Sequence, residues 1–310
     1  AYFQLDNSLH KANTVEDSFI LAPFNQSEDS YAIPFSKADY FWTKIKFESF
    51  EESAVARTRT EEEALQHQAL VSKGIQFIEA QKIVLAREEK VALSDFDLEL
   101  LFNRLFHLYP TAFRYIWYHP ETGVWCGATP ETLVQTQANS YYTMALAGTM
   151  PYEGFEPNWR TKERDEQQFV TDTIVESIKD LEANMGVSDT YTQAAGTIAH
   201  LRTDIEGERL PSTSVLDLAQ AIHPTPAICG TPTQIAKEFI LKEEHFDRKF
   251  YAGYLGVISV QETSRLYVNL RSMQIENGLA KLFVGGGVTK DSDAMEEWIE
   301  TCNKTQTMLH

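Results

Sequence analysis

A chain of 310 residues, 43% apolar and 23% charged, has the composition of an ordinary globular protein and the length to bury a sizeable core. Its formal net charge of −18, with no basic stripe to offset it, argues against nucleic acid as a partner, because a phosphate backbone would be repelled. No apolar run approaches a membrane span and the N-terminus carries no basic-then-apolar leader. Cys126, Cys229 and Cys302 lie too far apart for a disulfide framework or a zinc site, so the expectation is a reduced protein of the cytoplasm.

Residues 1–58 read as strands and loops, with a turn at Asn25 to Ser30 and strands over Tyr31 to Pro34 and Tyr40 to Phe47. From Thr60 the apolar spacing Ala64, Leu65, Ala69, Leu70, Ile75, Ile78 predicts a helix reaching about Gln81, and Thr60 with Glu63 fits a capping box. The β-rich run Lys82 to Arg87 follows; Lys82 shares a face with Val84 and Ala86, where it could equally snorkel to solvent. A helix over Asp95 to Leu108 leads to a strand at Phe113 to Tyr118, and His119 to Gly123 is turn chemistry that makes a hairpin.

Small residues and a proline then present Glu131 at a strand end, where a fixed carboxyl could transfer protons; turn chemistry alone would also explain the run. A strand from Tyr142 to Ala147 is expected to end at Gly148 and Thr149, with an irregular loop to Trp159. In the helix over Thr161 to Leu181, Val170, Ile174, Ile178 and Leu181 form an apolar stripe, and Glu163 and Glu166 extend it. Acids facing a core are costly unless they are paired or bind a metal, although a frayed first turn would release them to water.

His200 lies on a strand around Thr197 to Ile205, and a helix from Ser212 to Ile222 runs into a proline-rich turn before another over Thr233 to Glu243. Phe250 to Val260, Arg265 to Ile275 and Ala280 to Val284 read as an antiparallel meander, which puts Arg271 inside its middle strand, in need of an acid or an anion. A turn of three glycines, Gly285 to Gly287, would then offer backbone N–H groups to an anion at the start of a helix capped by Asp293 with Glu296. On that helix Glu297, Glu300 and Lys304 share one face, and Met295, Trp298, Cys302 and Leu309 the apolar one; a solvated surface would look the same. No solenoid repeat or linker divides the chain, which indicates one α+β domain over residues 1–310 with packed, mainly antiparallel sheets and helices outside.

Eight stretches resemble the chorismate-utilising enzymes, the family of isochorismate, salicylate, anthranilate and aminodeoxychorismate synthases. They are KIVLAR (82–87), GATPE (127–131), LAGT (146–149), KERDE (162–166), HPTPAICGTP (223–232), FYAGYLG (250–256), YVNLR (267–271) and VGGGVTKDSDAMEEWIETCNK (284–304). The likeness is greatest to isochorismate synthase, because Lys82 stands where the anthranilate branch looks like glutamine.

The resemblance implies an α-β-β-α sandwich binding chorismate, with Lys82 as the base that activates water for attack at C2. Glu131, kept protonated by burial or a neighbouring acid, would be the acid for the departing C4 hydroxyl. It implies Mg²⁺ held by Glu166 and Glu300, with Glu163 and Glu297 beside them. Tyr251 and Arg271 would hold the enolpyruvyl carboxylate with the backbone near Gly285 and Gly287, while Lys304, His200, Gly148 and Thr149 complete the substrate site. The expected product is isochorismate, for menaquinone or a siderophore; the alternatives are salicylate synthase, which adds pyruvate elimination in the same pocket, and a non-catalytic binder. The expected assembly is a monomer or weak homodimer.

Overall fold

The computed structural model describes residues 1–6, 8–12, 15–43, 59–93, 96–152, 154–195 and 198–306. Five short strands come first: β1 (Tyr2–Gln4), β2 (His10–Lys11), β3 (Ser18–Ala22), β4 (Tyr31–Pro34) and β5 (Ala38–Tyr40). Then come α1 (Glu61–Gln76), β6 (Lys82–Ala92), α2 (Leu98–Leu108), β7 (Phe113–His119), β8 (Gly123–Thr129), β9 (Thr132–Gln137), β10 (Ser140–Pro151) and α3 (Thr161–Ile178). The remainder holds β11 (Glu182–Val187), β12 (Tyr191–Ala195), β13 (Ile198–Arg209), α4 (Val215–Ile222), β14 (Gly230–Thr231) and α5 (Thr233–Glu243). It closes with β15 (Tyr254–Ile258), β16 (Thr263–Val268), β17 (Ser272–Glu276), β18 (Leu279–Val288) and α6 (Ala294–Gln306).

The strands build a ten-stranded sheet in the order β11-β13-β10-β9-β16-β15-β3-β4-β2, with β12 beside β13, and a six-stranded sheet in the order β14-β6-β18-β17-β8-β7. β1 and β5 form a separate pair. Every pairing among the described residues is antiparallel, as the α+β expectation requires. One hydrophobic core joins the two large sheets: Ile83, Leu85, Trp125 and Phe283 from the smaller meet Ile20, Val134, Leu255 and Leu266 from the larger. The fully buried Trp125 ring stacks on Phe283 at 5.3 Å and meets Phe250 edge-on at 5.2 Å, the offset geometries that aromatic quadrupoles favour. No helix among the described residues is long and apolar enough to cross a membrane.

Local chemistry sets several element ends. Thr60 and Glu63 cap α1 reciprocally, Glu63 N–H donating to Thr60 Oγ1 at 3.2 Å and Thr60 N–H to Glu63 Oε2 at 2.9 Å. Ser214 and Asp217 do the same for α4. Asp293 Oδ1 accepts the Met295 and Glu296 N–H groups at the start of α6. α1 stops at Gln76 rather than near Gln81, and the turn over Phe77 to Gln81 delivers the chain to Lys82.

Four expectations are corrected. The last strands are not one meander: β15 and β16 belong to the larger sheet, β17 and β18 to the smaller. Arg271 is therefore not in a strand centre but at the crossover between sheets, with a left-handed φ of 47°. The three glycines are not a turn; they lie inside β18, where Gly285, Gly286 and Gly287 face Ala86, Leu85 and Val84 of β6. β10 does not end at Gly148 but continues to Pro151 across a register slip between Ala147 and Thr149. The expected boundaries at Phe47, Asp95 and Thr197 and the stripe position Leu309 lie outside the described residues.

Candidate active site

Each glycine of β18 leaves room for a different functional side chain. A Cβ on Gly287 would stand 2.6 Å from Lys82 Cε, and one on Gly285 would stand 3.2 Å from the Tyr251 hydroxyl. A Cβ on Gly286 would meet Glu297 Oε2 at 2.9 Å and Glu300 Oε1 at 3.9 Å. Successive Cβ positions point to opposite faces of a strand, so Lys82 and Tyr251 approach from one side and the α6 acids from the other. β18 pairs with β17 only as far as Leu282, and this leaves the glycine segment with β6 alone as its strand partner among the described residues.

Lys82 is ion-paired with Glu166 of α3, both side chains mostly enclosed. Glu131 sits between β8 and β9, half-buried, and burial pushes it up to about 7 despite the nearby Lys82 ammonium. Thr149 and Gly148 occur at the irregular point of β10, where Gly148 has φ +67° and a Cβ would lie 3.1 Å from Glu163 Cβ. The slip lets α3 approach and brings His200 Nδ1 within 3.1 Å of both the Gly148 carbonyl and Thr149 Oγ1. Burial lowers the His200 pKa, and the charges of Lys304, Arg271 and Glu166 all act on it, which places these four side chains in one neighbourhood.

Tyr251 stacks on Phe283 at 5.4 Å, and its hydroxyl is pushed up to about 12 by burial. Arg271 is exposed, and its guanidinium has no hydrogen bond or ion pair among the described residues. Such a group is suited to a carboxylate. Lys304 bridges Glu300 at 2.6 Å and the Gly285 carbonyl at 3.0 Å.

The four acids expected to hold a cation come as two pairs. Glu163 is buried and ion-paired with Arg160, Glu166 with Lys82, and Glu300 with Lys304. Glu297 accepts from Ser292 at 2.8 Å, but its Oε2 is buried without a hydrogen-bond partner, and its pKa is raised by burial and then by Glu300. An orphaned carboxylate oxygen beside a second carboxylate is a charge that a hard cation would relieve, and oxygen-only donors suit Mg²⁺. As they stand, no three His, Cys, Asp or Glu side chains among the described residues form a ready cage, so only the Glu297–Glu300 side is poised.

Lys82 and Glu166 open onto a cleft of about 630 Å³ whose rim also carries Lys162, Asp165, Lys290 and Asp291, with Ile75, Phe77, Ile78 and Phe169 as an apolar wall. Sequence reasoning passed over Lys162 and Lys290, whose place at the rim follows from the packing of α3 against the loop before α6. It also passed over Arg160, although its spacing of three residues before Glu163 was a readable signal.

This is a two-sheet α+β protein whose cleft is lined by the Lys82–Glu166 pair, with a half-buried acid, Glu131, close enough to feel the Lys82 charge. A family model for chorismate binding enzymes matches residues 36–310, and the chain belongs to that family. Isochorismate synthase DhbC of Bacillus subtilis is 34% identical over 202 residues, which make up 59% of this chain and 49% of that protein. Isochorismate synthase EntC of Escherichia coli is 29% identical over 240 residues, 74% of this chain and 61% of that one, so the chain spans less than two thirds of either relative. The structure of MenF, the menaquinone-specific isochorismate synthase of Escherichia coli, matches with a TM-score of 0.79 over 95% of this chain and 79% of its own, at 19% identity a likeness of fold.

Proposed function

We propose that the protein is an isochorismate synthase of the cytoplasm, adding water at C2 of chorismate with loss of the C4 hydroxyl, for menaquinone or a siderophore. The observation that carries the reading is the Lys82–Glu131 pair: a carboxyl that burial raises to about 7 lies close enough to the Lys82 amine to feel its charge. Proton transfer at neutral pH needs an acid whose pKa lies near the working pH. Lys82 takes the proton from the attacking water and Glu131 gives one to the leaving hydroxyl, so protons balance over the reaction. Arg271 and the Tyr251 hydroxyl hold the enolpyruvyl carboxylate, helped by the Gly285 and Gly287 backbone, while Lys304, His200, Gly148 and Thr149 close the site around the ring.

Glu166 and Glu300 would hold Mg²⁺, with Glu163 and Glu297 beside them, which requires Glu166 to release Lys82. The ion would supply positive charge to the ring carboxylate. Three cationic side chains and this charge offset the repulsion that a chain of net charge −18 exerts on a dianion.

The test is to incubate the protein with chorismate and Mg²⁺ and separate the products. Isochorismate alone is the expected result. Salicylate with pyruvate would replace the reading by salicylate synthase, product formed only with ammonium would move it to amination, and no turnover would overturn it.

A further inference from the structure

Glu131 is held in place mainly by its neighbours' backbone, and one side chain completes that hold. Thr129, the fully buried last residue of β8, donates its hydroxyl to the Val268 carbonyl at 2.5 Å and accepts the Glu131 N–H at 3.4 Å. The Val268 N–H in turn donates to the Glu131 carbonyl at 3.0 Å, which closes a ring of three hydrogen bonds around the acid. Pro130, between them, has no N–H to offer. The ring sits where the β9–β16 register slips between Leu266 and Tyr267, so regular sheet pairing does not fix this turn. On the far side Ala128 N–H reaches the Arg271 carbonyl at 3.2 Å, so the same corner also borders the crossover that carries the guanidinium.

We propose that Thr129 is a positioning residue for the proton-transfer step: its hydroxyl ties the Glu131 turn to the end of β16 and so fixes where the carboxyl stands relative to Lys82. This role rests on the isochorismate synthase reading. A hydroxyl that only satisfied the Val268 carbonyl would affect stability and nothing else.

The test compares the full chain with Thr129→Val, close in shape but without the hydroxyl, and Thr129→Ser, which keeps it. Glutamate labelled with ¹³C at Cδ is titrated by NMR, with Glu131→Gln assigning the resonance, and kcat and KM for chorismate are measured with Mg²⁺. Wild type and Thr129→Ser should titrate Glu131 near 7, as its enclosure dictates. In Thr129→Val the titration should move toward ordinary carboxylate values as the carboxyl reaches water. A loss of kcat between about tenfold and a hundredfold should accompany it, with KM changed by less than about twofold, since the misplaced group acts in the chemical step. Thr129→Ser should restore kcat to within about threefold. A Thr129→Val protein with wild-type titration and kcat overturns the proposal, as does one that only loses thermal stability. If Thr129→Val fails to fold, Thr129→Ala carries the same expectations. Should the wild type not turn over chorismate, the functional reading fails, while the NMR titration still decides whether Thr129 holds the acid.

Discussion

Lys82 and Glu131 differ in what surrounds them, and it is the surroundings of Glu131 that fit it to act as an acid. Lys82 has a carboxylate at its amine, whereas Glu131 is half-buried with a more distant ammonium near its carboxyl. Desolvation outweighs that ammonium and leaves the acid raised to about 7. A general acid works in its protonated form, so the limb of kcat/KM that belongs to Glu131 should fall as the pH rises through about 7. Glu131→Gln cannot give up a proton; it should lose about 10²–10⁴-fold in rate and with it this falling limb. A rate profile whose limb survives in Glu131→Gln would assign the acid to another group.

Strand β18 and helix α6 show why a backbone with no side chains can be the centre of a site. Arg87 of β6 donates to Thr301 at 2.9 Å and to the fully buried Glu89 at 2.8 Å, and its guanidinium lies 4.5 Å over Trp298. Arg59 joins Glu89 at 2.9 Å and Thr305 at 2.7 Å, so the buried back of α6 is pinned to β6. With that rotation fixed, Glu297, Glu300 and Lys304 face the glycines. Gly287→Ala should therefore separate activity from stability: its Cβ would meet a methylene of a flexible lysine at 2.6 Å rather than backbone. Displacing the base should cost about a hundredfold in kcat, while the melting temperature stays within about 3 °C. Equal rates, or a large loss of stability, would show that Lys82 does not need this gap.

The local signals that the sequence did carry are those that one element decides alone. The Thr60–Glu63 cap, the bounds of α5 and the β7–β8 hairpin follow from nearest neighbours and came out as expected. Sheet membership does not work this way. β18 finds β6 across nearly two hundred residues of chain, and nothing in the run Arg265 to Ile275 announces that it changes sheets at Arg271. The same holds for the site: Glu163 and Glu166 were visible as acids on an apolar stripe, but their partners Arg160 and Lys82 depend on how α3 lands on the sheets.

Protonation couples the cleft to the core of the whole protein. His67 and His223 are buried, and desolvation lowers both to about 4 from a usual 6.5, with Arg87 adding to the effect at His67. Groups depressed in this way contribute stability that is complete above 6.5 and is lost as the pH falls toward 4. Glu131 acts in the opposite sense: raised to about 7 from a usual 4.5, it contributes stability that is complete below 4.5 and lost as the pH rises through 7. Between those limits the unfolded chain binds two protons more at the histidines and one fewer at Glu131, a net of one. These three groups should then make stability fall by about 1.4 kcal/mol for each pH unit of acidification, with His200, also lowered by burial, adding to the fall and Glu297, raised by burial, subtracting from it. Glu131→Gln removes the opposing group, so urea unfolding of that variant across the same range should show a slope steeper by about 1.4 kcal/mol per pH unit than the wild type's. If stability is flat or rises on acidification in both proteins, the two imidazoles are not held neutral in the core; if the slopes are equal, the acid in the cleft carries no proton at neutral pH.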